Sequence, residues 1–568
     1  MQTVFLTNLL GEDTMKFNLF LKYVIGGETK TATNSNEDLR FEINKKNGNN
    51  LIIHLIPNKA LEVKEFFVRR SYAFTENSRF FANGFQSWSD TKEFTREETM
   101  PGLGLIGKSP FGVYMGMNYG GDYNFVKPEK KKGAFHSHSL AYIREGDLYE
   151  FVGSLNDRSG YTVIYADMNK NELRFGKDLE GVVIQERYEI LNLFFARGSY
   201  DAVFDSYFAA LNIKPLTPKG ERIKGYTSWY NYYSNISEEI VLRDLESLCA
   251  VENYRDYVNT FQIDDGFQTA VGDWFSIDQK KFPHGMKPIV DAIHAKGLQA
   301  GLWLAPFGAQ KNSKIAAEHP DWLVKGKNGK PVLVGHNWWG FYALDIYNED
   351  ARAYIRSVFH TAINEWGFDL VKLDFLYAAA SMPMHGKTRG EIAFDAMDLI
   401  RECVGDKTII ACGVQQMPCF GKVDYMRVGA DMCLSWPHSF NRKHMHREDV
   451  STPNALHNTI YRRGLCGRAF LCDPDVFLLR RTNIHFTPEQ QQLLGKFIKL
   501  FGDVLFMSDN VAEYDAEQMA AFKDILANDT RAVTGIDENG TVITIDYIEN
   551  GENKQMQFDV WTGEIFKF

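Results

Sequence analysis

The segment EDARAYIRSVFHTAINEWGFDLVKLDF, residues 349–375, decides the fold class because it joins one clear helix to one clear strand. Its apolar residues recur at helical spacing, at Ala351, Tyr354, Ile355, Val358 and Ala362. A glycine at position 367 follows, as is typical where a helix ends before the next element. Residues 370–375 are then apolar apart from two charged side chains, which predicts a buried strand that ends on a carboxylate.

The same alternation of strand and helix runs through the middle of the chain. We predict strands at residues 225–230, 260–265, 298–306, 341–345, 370–375, 408–413, 425–431 and 469–475. Units of roughly 30–40 residues, over roughly 250 residues in total, are typical of a (β/α)8 barrel. The longer insert at residues 307–340 carries Trp322, Trp338 and Trp339, and we expect it to lie over the barrel mouth.

Sequences typical of β-structure flank this central part. From residue 16 to about residue 210, short apolar runs are separated by Gly, Asn and Asp clusters, which favours an all-β sandwich. Residues 212–220 have the Pro-containing composition of a linker, and strand alternation returns after about residue 509. The predicted domains are an N-terminal β-sandwich (1–217), a catalytic barrel (218–508) and a C-terminal β-sheet domain (509–568).

Composition narrows the class of protein. The chain has 568 residues, of which 44% are hydrophobic and 24% charged, so disorder of the whole chain is excluded. A net charge of −10 argues against nucleic acid or an anionic membrane as partner and fits a neutral substrate. The 7 cysteines show no CxxC spacing, which argues against a disulfide framework and a zinc site. Without a secretory signal pattern at the N-terminus, we expect a cytoplasmic protein.

Charged side chains follow three of the predicted strands, at the end of the barrel where active sites lie. They are Asp264 and Asp265 on the second strand, Lys372 and Asp374 on the fifth, and Arg427 and Asp431 on the seventh. A single acid in such a place is as often a helix cap. Because side chains alternate across a strand, however, the last two pairs each place a cation on the same face as an acid. A buried cation is costly unless it is paired, so the pattern indicates a functional site.

Two carboxylates that face each other across a pocket can act as nucleophile and general acid in glycoside cleavage. We expect Lys372 to keep Asp374 ionised, as a nucleophile must be. Asp431 then has to carry a proton at rest, which the negative charge of Asp374 favours. Arg427 opposes that proton, so its electrostatic role stays open and we assign it to substrate or backbone contacts.

Other chemistries fit the same residues less well. Asp264, Asp265 and Asp374 are candidate ligands of a divalent cation, but Lys372 would repel the metal. No Gly-x-Ser-x-Gly motif follows these strands, which argues against a serine hydrolase. A polar, Arg-rich sequence surrounds three histidines that we expect in a solvated loop: His438, His444 and His446.

Aromatic and sulfur side chains add to a candidate sugar site, because flat rings with polar edges suit sugar faces as well as β-sheet cores. Trp229 lies near the end of the first strand, Trp303 lies on the third, and Trp436 follows the seventh. Trp88 lies in a polar Gly/Ser loop of the first domain, so we expect it to meet the barrel mouth. Cys412 ends the sixth strand, and we favour pocket lining slightly over core packing for it.

In chain order, these residues fall in motifs that resemble the α-galactosidases of glycoside hydrolase family 36, within the melibiase clan. The motifs are Gly-Tyr-Thr-Ser-Trp229-Tyr, Ile-Asp264-Asp265-Gly, Gly-Asp273-Trp274, Gly-Leu-Trp303-Leu-Ala-Pro, His-Pro-Asp-Trp322, Tyr-Ala-Leu-Asp345, Lys372-Leu-Asp374-Phe, Arg427-Val-Gly-Ala-Asp431 and Asp473-Pro-Asp475. The resemblance covers nearly the whole chain. It implies an N-terminal β-supersandwich, a (β/α)8 TIM barrel and a small C-terminal antiparallel β domain, with no metal and no organic cofactor.

The resemblance also implies catalytic roles. Asp374 resembles the nucleophile and Asp431 the acid/base of a retaining double displacement. Asp264 and Asp265 resemble the pair that binds the 4-hydroxyl and 6-hydroxyl of galactose, with Lys372 nearby.

Further pocket roles follow from the same resemblance. Trp303 and Trp229 would form the walls of the sugar pocket, and Arg427 and Cys412 would meet the 2-hydroxyl side. Trp88 resembles a tryptophan of the N-terminal domain that closes the pocket. The chain departs from the family pattern at residues 414–418, close to the 2-substituent, and at residues 437–442, after the acid/base.

The sequence therefore predicts a retaining α-galactosidase that acts on terminal α-galactosyl residues of oligosaccharides. An α-N-acetylgalactosaminidase or an α-galactosyl transferase on the same scaffold is the neighbouring alternative. A sugar-binding protein on an inactive barrel is the alternative from another class, against which the intact acids and their cations argue. Oligomeric state is left open.

Overall fold

Alternating apolar residues build two antiparallel sheets in the first third of the chain. The computed structural model describes residues 17–46, 49–127, 130–436, 444–448 and 450–568. The strands of these sheets are β1 (Phe17–Ile25), β2 (Glu28–Ala32), β3 (Leu39–Lys46), β4 (Asn50–Pro57), β5 (Leu61–Ser71), β6 (Arg79–Ala82), β7 (Lys92–Phe94), β8 (Ala134–His138), β9 (Leu140–Glu145), β10 (Leu148–Ser154), β11 (Thr162–Asp167), β12 (Glu172–Lys177), β13 (Val183–Ile184) and β14 (Tyr188–Gly198).

The two sheets pack face to face around a common apolar core. One has the order β2-β1-β5-β12-β11-β8, with β13 beside β5, and the other β3-β4-β14-β10-β9-β6-β7. In β1, every second residue points inward, so that Leu21 is fully buried against residues of the second sheet such as Ile53 and Phe195. The β-sandwich expected from the short apolar runs is therefore present in this part of the chain.

A curled parallel sheet occupies the middle of the chain. Its strands are β15 (Ile223–Thr227), β16 (Thr260–Ile263), β17 (Gln299–Leu304), β21 (Leu370–Leu373), β22 (Thr408–Ala411), β23 (Tyr425–Arg427), β24 (Leu471–Asp473), β25 (Val476–Phe477) and β26 (Val504–Met507). The order is β24-β23-β22-β21-β17-β16-β15-β26-β25. Only Pro474 and Asp475 separate the two outermost strands, β24 and β25, so both ends of this sheet meet at one short stretch of chain.

Helices connect the parallel strands and pack on the outside of the sheet. The helices of the described residues are α1 (Leu105–Lys108), α2 (Pro110–Tyr114), α3 (Tyr200–Leu211), α4 (Trp229–Tyr232), α5 (Glu238–Cys249), α6 (Lys287–Ala295), α7 (Lys314–Glu318), α8 (Glu349–His360), α9 (Arg389–Val404), α10 (Thr452–Arg462), α11 (Pro488–Phe501) and α12 (Ala516–Leu526). Asn348 caps the N-terminus of α8, and Thr388 and Glu391 form a reciprocal capping box on α9.

One predicted barrel strand is wrong. Residues 341–345 were expected as the fourth strand, but β20 (Phe341–Ala343) lies in a small antiparallel sheet with β18 (Gly308–Gln310) and β19 (Leu333–Gly335). The parallel sheet instead runs directly from β17 to β21, and β26 supplies a strand that the sequence reading missed. Both runs are short and apolar, and such a pattern does not distinguish parallel from antiparallel pairing.

An antiparallel sheet follows the parallel one. It has the order β27-β28-β29-β30 and is formed by β27 (Arg531–Asn539), β28 (Val542–Glu549), β29 (Glu552–Asp559) and β30 (Ile565–Lys567). Phe497 of α11 contacts Phe558 of β29, so this sheet packs on the outer helices. Among the helices of the described part, none has both the length and the apolar character that crossing a bilayer requires.

Arg462 at the end of α10 fastens the loop that carries Trp88 to the parallel sheet. Its guanidinium is buried and donates to the backbone carbonyls of Ser87 at 2.6 Å and Val428 at 2.7 Å. It also donates to the carbonyls of Gly84 and Gln86. Because hydrogen bonds from a charged donor are the stronger ones, this single side chain fixes residues 84–88 of the β-sandwich against the end of β23.

The cysteines differ from expectation at one pair. Cys466 and Cys472 form one disulfide among the described residues, with their Cα atoms 5.3 Å apart, a pair that the argument against a disulfide framework did not anticipate. A turn brings Cys466 beside Phe470 and so returns the chain towards β24, which the spacing alone does not indicate. The other cysteines, Cys249, Cys403, Cys412, Cys419 and Cys433, are free.

Candidate active site

A pocket lies where the parallel strands end, at the edge that meets the β-sandwich. Its volume is about 300 Å³, at the lower end of the range of small-molecule sites. The lining residues are Trp88, Trp229, Tyr230, Asp264, Asp265, Trp303, His336, Asn337, Trp338, Lys372, Asp374, Phe375, Asp431, His446, Glu448 and Val450. Carboxylates therefore share this pocket with indole rings, a combination suited to a ligand with hydroxyls on one side and an apolar face on the other.

Lys372 and Asp264 form the ion pair at the floor of the pocket. The Lys372 ammonium donates to Asp264 Oδ2 at 2.7 Å, and both side chains are buried. Burial lowers the pKa of Lys372, but the Asp264 carboxylate outweighs that effect, so this pKa lies above its ordinary value. The direct partner of Lys372 is thus Asp264, and not Asp374 as the shared strand face suggested, because the ammonium reaches across to the end of β16.

Asp374 lies at the end of β21 and accepts two hydrogen bonds. Trp303 Nε1 donates to its Oδ2 at 3.1 Å, and the Phe375 backbone N–H donates to its Oδ1 at 2.8 Å. The Cys412 thiol lies near the carboxylate and lowers its pKa. Burial raises the pKa of Asp374, the positive charge of Lys372 lowers it, and the negative charge of Asp431 raises it, so that the pKa lies above its ordinary value. Lys372 therefore stabilises the carboxylate through space.

Asp265 accepts hydrogen bonds from two side chains on different loops. Gln268 Nε2 donates to Oδ1 at 2.6 Å and Trp338 Nε1 donates to Oδ2 at 2.9 Å. Burial raises the pKa of Asp265 to about 6, assisted by the charges of Asp264 and Asp374, while the two donors lower it. Unlike Asp264, Asp265 has no cation as a hydrogen-bond partner among the described residues, which explains why the effect of burial on its pKa prevails.

Arg427 is the second buried cation of the site, and three carboxylates surround it. It donates to Asp431 Oδ1 at 2.8 Å, to Asp475 Oδ1 at 2.6 Å and to Asp473 Oδ2 at 3.4 Å. The Asp431 side chain is 35% exposed towards the pocket, whereas those of Asp473 and Asp475 are buried. Burial raises the pKa of Asp475, although Arg427 lowers it.

Tryptophans form the walls of the pocket. Trp88 packs edge-on against Phe375, with ring centroids 5.1 Å apart, and so brings the β-sandwich to the pocket. Its indole Nε1 is buried and has no hydrogen-bond partner within the described ranges. The ring centroids of Trp303 and Trp338 lie 6.1 Å apart, and Trp229 is the first residue of α4.

The structure brings most of the predicted site residues together. Asp264, Asp265, Lys372, Asp374, Asp431, Trp88, Trp229 and Trp303 all line the pocket. Arg427 and Cys412 lie directly behind Asp431 and Asp374, respectively. Trp436 does not reach the pocket: it is buried, and its Nε1 donates to the Val560 carbonyl at 3.1 Å, because this ring packs on the C-terminal sheet.

The histidines after β23 also differ from expectation. His446 was expected in a solvated loop, but it is buried and lines the pocket, because residues 446–448 pack against the β-sandwich. His444 is half-buried. His438 and the whole of the departing segment 437–442 lie outside the described residues.

Sequence reasoning missed three pocket residues that make specific contacts. Trp338 was noticed only as part of an aromatic loop, yet its indole holds Asp265. Tyr230 donates its hydroxyl to Asp475 behind the pocket. Glu448 accepts from the Tyr123 hydroxyl at 2.6 Å and from the Ser89 hydroxyl at 2.8 Å, both on the β-sandwich. Trp338 had a signal in the Trp-Trp-Gly sequence, whereas the contacts of Glu448 join segments more than 300 residues apart, which no local pattern reveals.

A cluster with metal-ligand residue types lies outside this pocket. Within the described ranges, Asp122, His136 and His138 form the group whose potential ligand atoms come close together. Both histidine Nε2 atoms lie at hydrogen-bond distance from Asp122 Oδ2, 2.7 and 2.8 Å, and Arg447 donates to its Oδ1 at 2.6 Å. These are the distances of a hydrogen-bonded ion network, and the guanidinium balances the carboxylate without a metal.

Two acids that follow strands β21 and β23 and line one pocket, together with aromatic walls and a volume suited to one sugar ring, are features of a glycoside hydrolase. Comparison with known proteins supports this class. The melibiase family model matches residues 242–396, which include Asp264, Asp265, Lys372 and Asp374.

Curated relatives align over part of the chain. An A-type blood α-D-galactosamine galactosaminidase of Flavonifractor plautii is 31% identical over 28% of this chain and 14% of its own. An α-galactosidase of Escherichia coli is 25% identical over 31% of this chain and 25% of its own. The aligned segments thus span a quarter or less of the length of these relatives.

A solved structure aligns over nearly the whole chain. The α-galactosidase of Thermus thermophilus in complex with p-nitrophenyl α-D-galactopyranoside has a TM-score of 0.70 and 25% identity, over 94% of this chain and 98% of that one. The same enzyme in complex with stachyose is 26% identical, with a TM-score of 0.69 over 89% of this chain and 99% of that one. In sequence over part of the chain, and in overall structure over nearly all of it, the chain is therefore similar to α-galactosidases of the melibiase family.

Replacing Asp265 by Asn is expected to stabilise the protein at neutral pH. The folded state raises the pKa of Asp265 to about 6. Ionisation of this side chain therefore lowers the free energy of unfolding as the pH rises. The loss is absent below the unfolded pKa, near 4, and complete above pH 6. The Asp265→Asn variant avoids that cost. Its free energy of unfolding should exceed the wild-type value by up to about 3 kcal/mol at pH 7, and the difference should vanish towards pH 4. Denaturant titrations at several pH values measure it.

Asp264→Asn is the matched control for this prediction. It leaves Lys372 without its ionic partner in a buried place, so it should lower the free energy of unfolding by about 3 kcal/mol or more at pH 7. A loss of stability of similar size in both variants would contradict the account of Asp265.

Proposed function

We propose that the protein is a retaining α-galactosidase that hydrolyses terminal non-reducing α-D-galactosyl residues of oligosaccharides. The observation that carries the proposal is that Asp374 and Asp431 line one small pocket, each with a different environment. Asp374 accepts a hydrogen bond from Trp303 and interacts with the charge of Lys372, whereas the Asp431 side chain, 35% exposed, pairs with Arg427. Two carboxylates in unlike surroundings can divide the roles of nucleophile and acid/base.

In the first step, Asp374 attacks the anomeric carbon while Asp431 protonates the glycosidic oxygen. The bond to the leaving sugar breaks, and a covalent β-galactosyl ester forms on Asp374. In the second step, Asp431 takes a proton from water, which attacks the same carbon and releases α-galactose with Asp374 as the leaving group. Lys372, Trp303 and the Cys412 thiol stabilise the carboxylate of Asp374 when it leaves.

Recognition of the galactosyl ring falls to the polar groups around the nucleophile. Asp264 and Asp265 offer acceptors for the 4-hydroxyl and 6-hydroxyl, and Lys372 supplies a donor between them and the nucleophile. The unpaired indole Nε1 of Trp88 is a further donor that a sugar hydroxyl would satisfy. Trp303 and Trp229 supply flat apolar surfaces for the ring.

The relatives support this substrate class. The Thermus enzyme, which shares its overall structure with this chain, binds an aryl α-galactoside and stachyose, an oligosaccharide. We therefore propose an α-galactoside oligosaccharide as substrate, with no nucleic acid or membrane partner and no metal or organic cofactor in the reaction.

Finer features of the fold belong to the same proposal. The meeting of β24 and β25 at Pro474 and Asp475 supports a closed (β/α)8 barrel. The proposed domains remain residues 1–217, 218–508 and 509–568. The cytoplasmic location stays a prediction: the free cysteines favour a reducing compartment, whereas the Cys466–Cys472 disulfide is typical of an oxidising one.

The two acids should respond differently to the leaving group. Asp374→Ala should abolish turnover of every α-galactoside, because no nucleophile remains. Asp431→Ala should lower kcat/KM by about 10²–10⁴-fold for melibiose, whose leaving sugar needs a proton, but much less for p-nitrophenyl α-galactoside in the glycosylation step. Burst kinetics separate that step from hydrolysis of the intermediate. Equal losses of Asp431→Ala on both substrates would show that the acid has been misassigned.

An α-N-acetylgalactosaminidase is the second candidate, because the relative from Flavonifractor plautii is named for galactosamine. Trp88 argues against the larger substituent. Its ring packs so closely on Gly413 that a methyl group there would come within 2.7 Å, which narrows the pocket next to Cys412, on the side assigned to the 2-hydroxyl.

We therefore expect turnover of p-nitrophenyl α-galactoside with kcat/KM at least about 10²-fold above that of the N-acetylgalactosaminide, since a misfitting group costs a few kcal/mol. The reverse order would favour the second candidate. If neither substrate releases p-nitrophenol while calorimetry still shows galactose binding, the protein is a sugar-binding protein. Galactosyl disaccharide products would instead indicate a transferase.

A further inference from the structure

The stretch between β24 and β25 places a buried carboxylate behind the proposed acid/base. Asp475 has a φ of 88°, which is rare for a residue other than glycine, and Pro474 precedes it where the two strands are interrupted. Strained conformations of this kind persist where surrounding contacts hold them. The contacts here are the Arg427 guanidinium at 2.6 Å, the Met432 backbone N–H at 2.7 Å and the Tyr230 hydroxyl.

These contacts tie Asp475 to both sides of Asp431. Arg427 lies four residues before Asp431 and donates to it, while Met432 is the next residue along the chain. The short stretch between β24 and β25 therefore places the Asp475 carboxylate where it fixes two groups next to Asp431. These groups are the Arg427 guanidinium and the backbone N–H of Met432.

Charge balance around Arg427 gives Asp475 a second effect. With Asp431 as its sole partner, Arg427 would hold that carboxylate ionised, which is the wrong state for a general acid. Asp473 and Asp475 instead pair with the same guanidinium. Because both carboxylates are buried, water does not compete for their contacts with Arg427. Asp475 accepts three hydrogen bonds, whereas Asp431 accepts one from the described side chains. Burial raises the pKa of Asp475, and its three donors oppose that effect because they favour the ionised carboxylate.

We propose that Asp475 is a positioning residue that draws the charge of Arg427 away from Asp431, and thereby allows Asp431 to hold the proton that it donates to the leaving group. The inference rests on the proposed glycosidase function. It resolves the conflict that the sequence left open, namely a cation next to an acid that has to be protonated at rest.

The other groups around Asp431 do not replace this effect. Within the described ranges, those whose charge interacts with Asp431 are Arg427, Asp475, Asp374, Cys412, Tyr230 and Tyr233. Arg427 is the cation among these. Asp374 favours the proton on Asp431 as well, but its negative charge is consumed when the glycosyl ester forms, whereas the charge of Asp475 persists through both steps.

The pH dependence of kcat/KM on melibiose tests the proposal in the Asp475→Asn variant. Asparagine keeps the shape of the side chain but removes its charge, so Arg427 acts more fully on Asp431, which then loses its proton at lower pH. The alkaline limb of the profile should move down by about one pH unit or more. The loss of rate at pH 7 should be larger for melibiose than for p-nitrophenyl α-galactoside, because the p-nitrophenolate leaving group needs less protonation.

Asp503→Asn is the matched control, because Asp503 is half-buried and accepts a hydrogen bond from the backbone N–H of Cys472 in β24, without contacting Arg427. It should leave the alkaline limb in place. Asp473→Asn, which removes the longer contact to Arg427, should move the limb in the same direction by less. This variant also tests the proposal if Asp475→Asn does not fold, as judged by its circular dichroism and unfolding transition.

An alkaline limb that stays in place in both Asp475→Asn and Asp473→Asn, with a uniform loss of rate on both substrates, would overturn the proposal. That outcome leaves wild-type turnover intact and so leaves the proposed function standing. Absence of α-galactoside turnover in the wild-type protein would instead overturn the proposed function itself.

Discussion

Charge that is buried at the carboxyl ends of the parallel strands has to be paired, and that constraint organises the molecule around its pocket. Two cations carry the pairing. Lys372 takes Asp264 as its direct partner and acts on Asp374 through space. Arg427 is shared by Asp431, Asp473 and Asp475, which come from two separate stretches of chain. Each acid thereby receives its own electrostatic surroundings, and different chemical roles become available to groups of the same type.

The β-sandwich is part of this arrangement because it completes the pocket. Its loop at residues 83–91 brings Trp88 over Gly413, and the buried guanidinium of Arg462 holds that loop through four hydrogen bonds. A fifth hydrogen bond joins the same guanidinium to Val428. A second fastening runs from Glu448, on the pocket wall, to Ser89 and Tyr123 of the sandwich. The shape of the sugar site therefore depends on contacts between segments that are hundreds of residues apart.

Much of the architecture and of the site could be predicted from local pattern. The helix at Glu349–His360 and the strand at Leu370–Leu373 follow directly from apolar periodicity and from the charge placed after a buried run. The acids of the pocket follow from the ends of such strands, and two of its tryptophans, Trp229 and Trp303, were placed on strands as well. The family resemblance, confirmed by the comparisons, extended this to the architecture of the whole chain.

The remainder depends on tertiary contacts that a linear pattern does not contain. Residues 341–343 have the apolar character of a barrel strand but pair antiparallel in the insert, since pairing is decided by neighbours. Trp436 follows the acid/base closely in sequence, yet it packs on the C-terminal sheet. The hydrogen-bond partner of Lys372 follows another strand. The contacts behind Asp431 depend on the positive φ of Asp475, which the residue type does not predict.

The central claim is that Asp374 forms a covalent bond to the sugar. Incubation with a fluorinated α-galactosyl fluoride, which slows the second step more than the first, followed by peptide mass spectrometry, tests it most directly. We expect one fluorogalactosyl adduct per chain, located on Asp374 and absent from the Asp374→Ala variant. An adduct on Asp431, or turnover of α-galactosides by the Asp374→Ala variant at the wild-type rate, would contradict it.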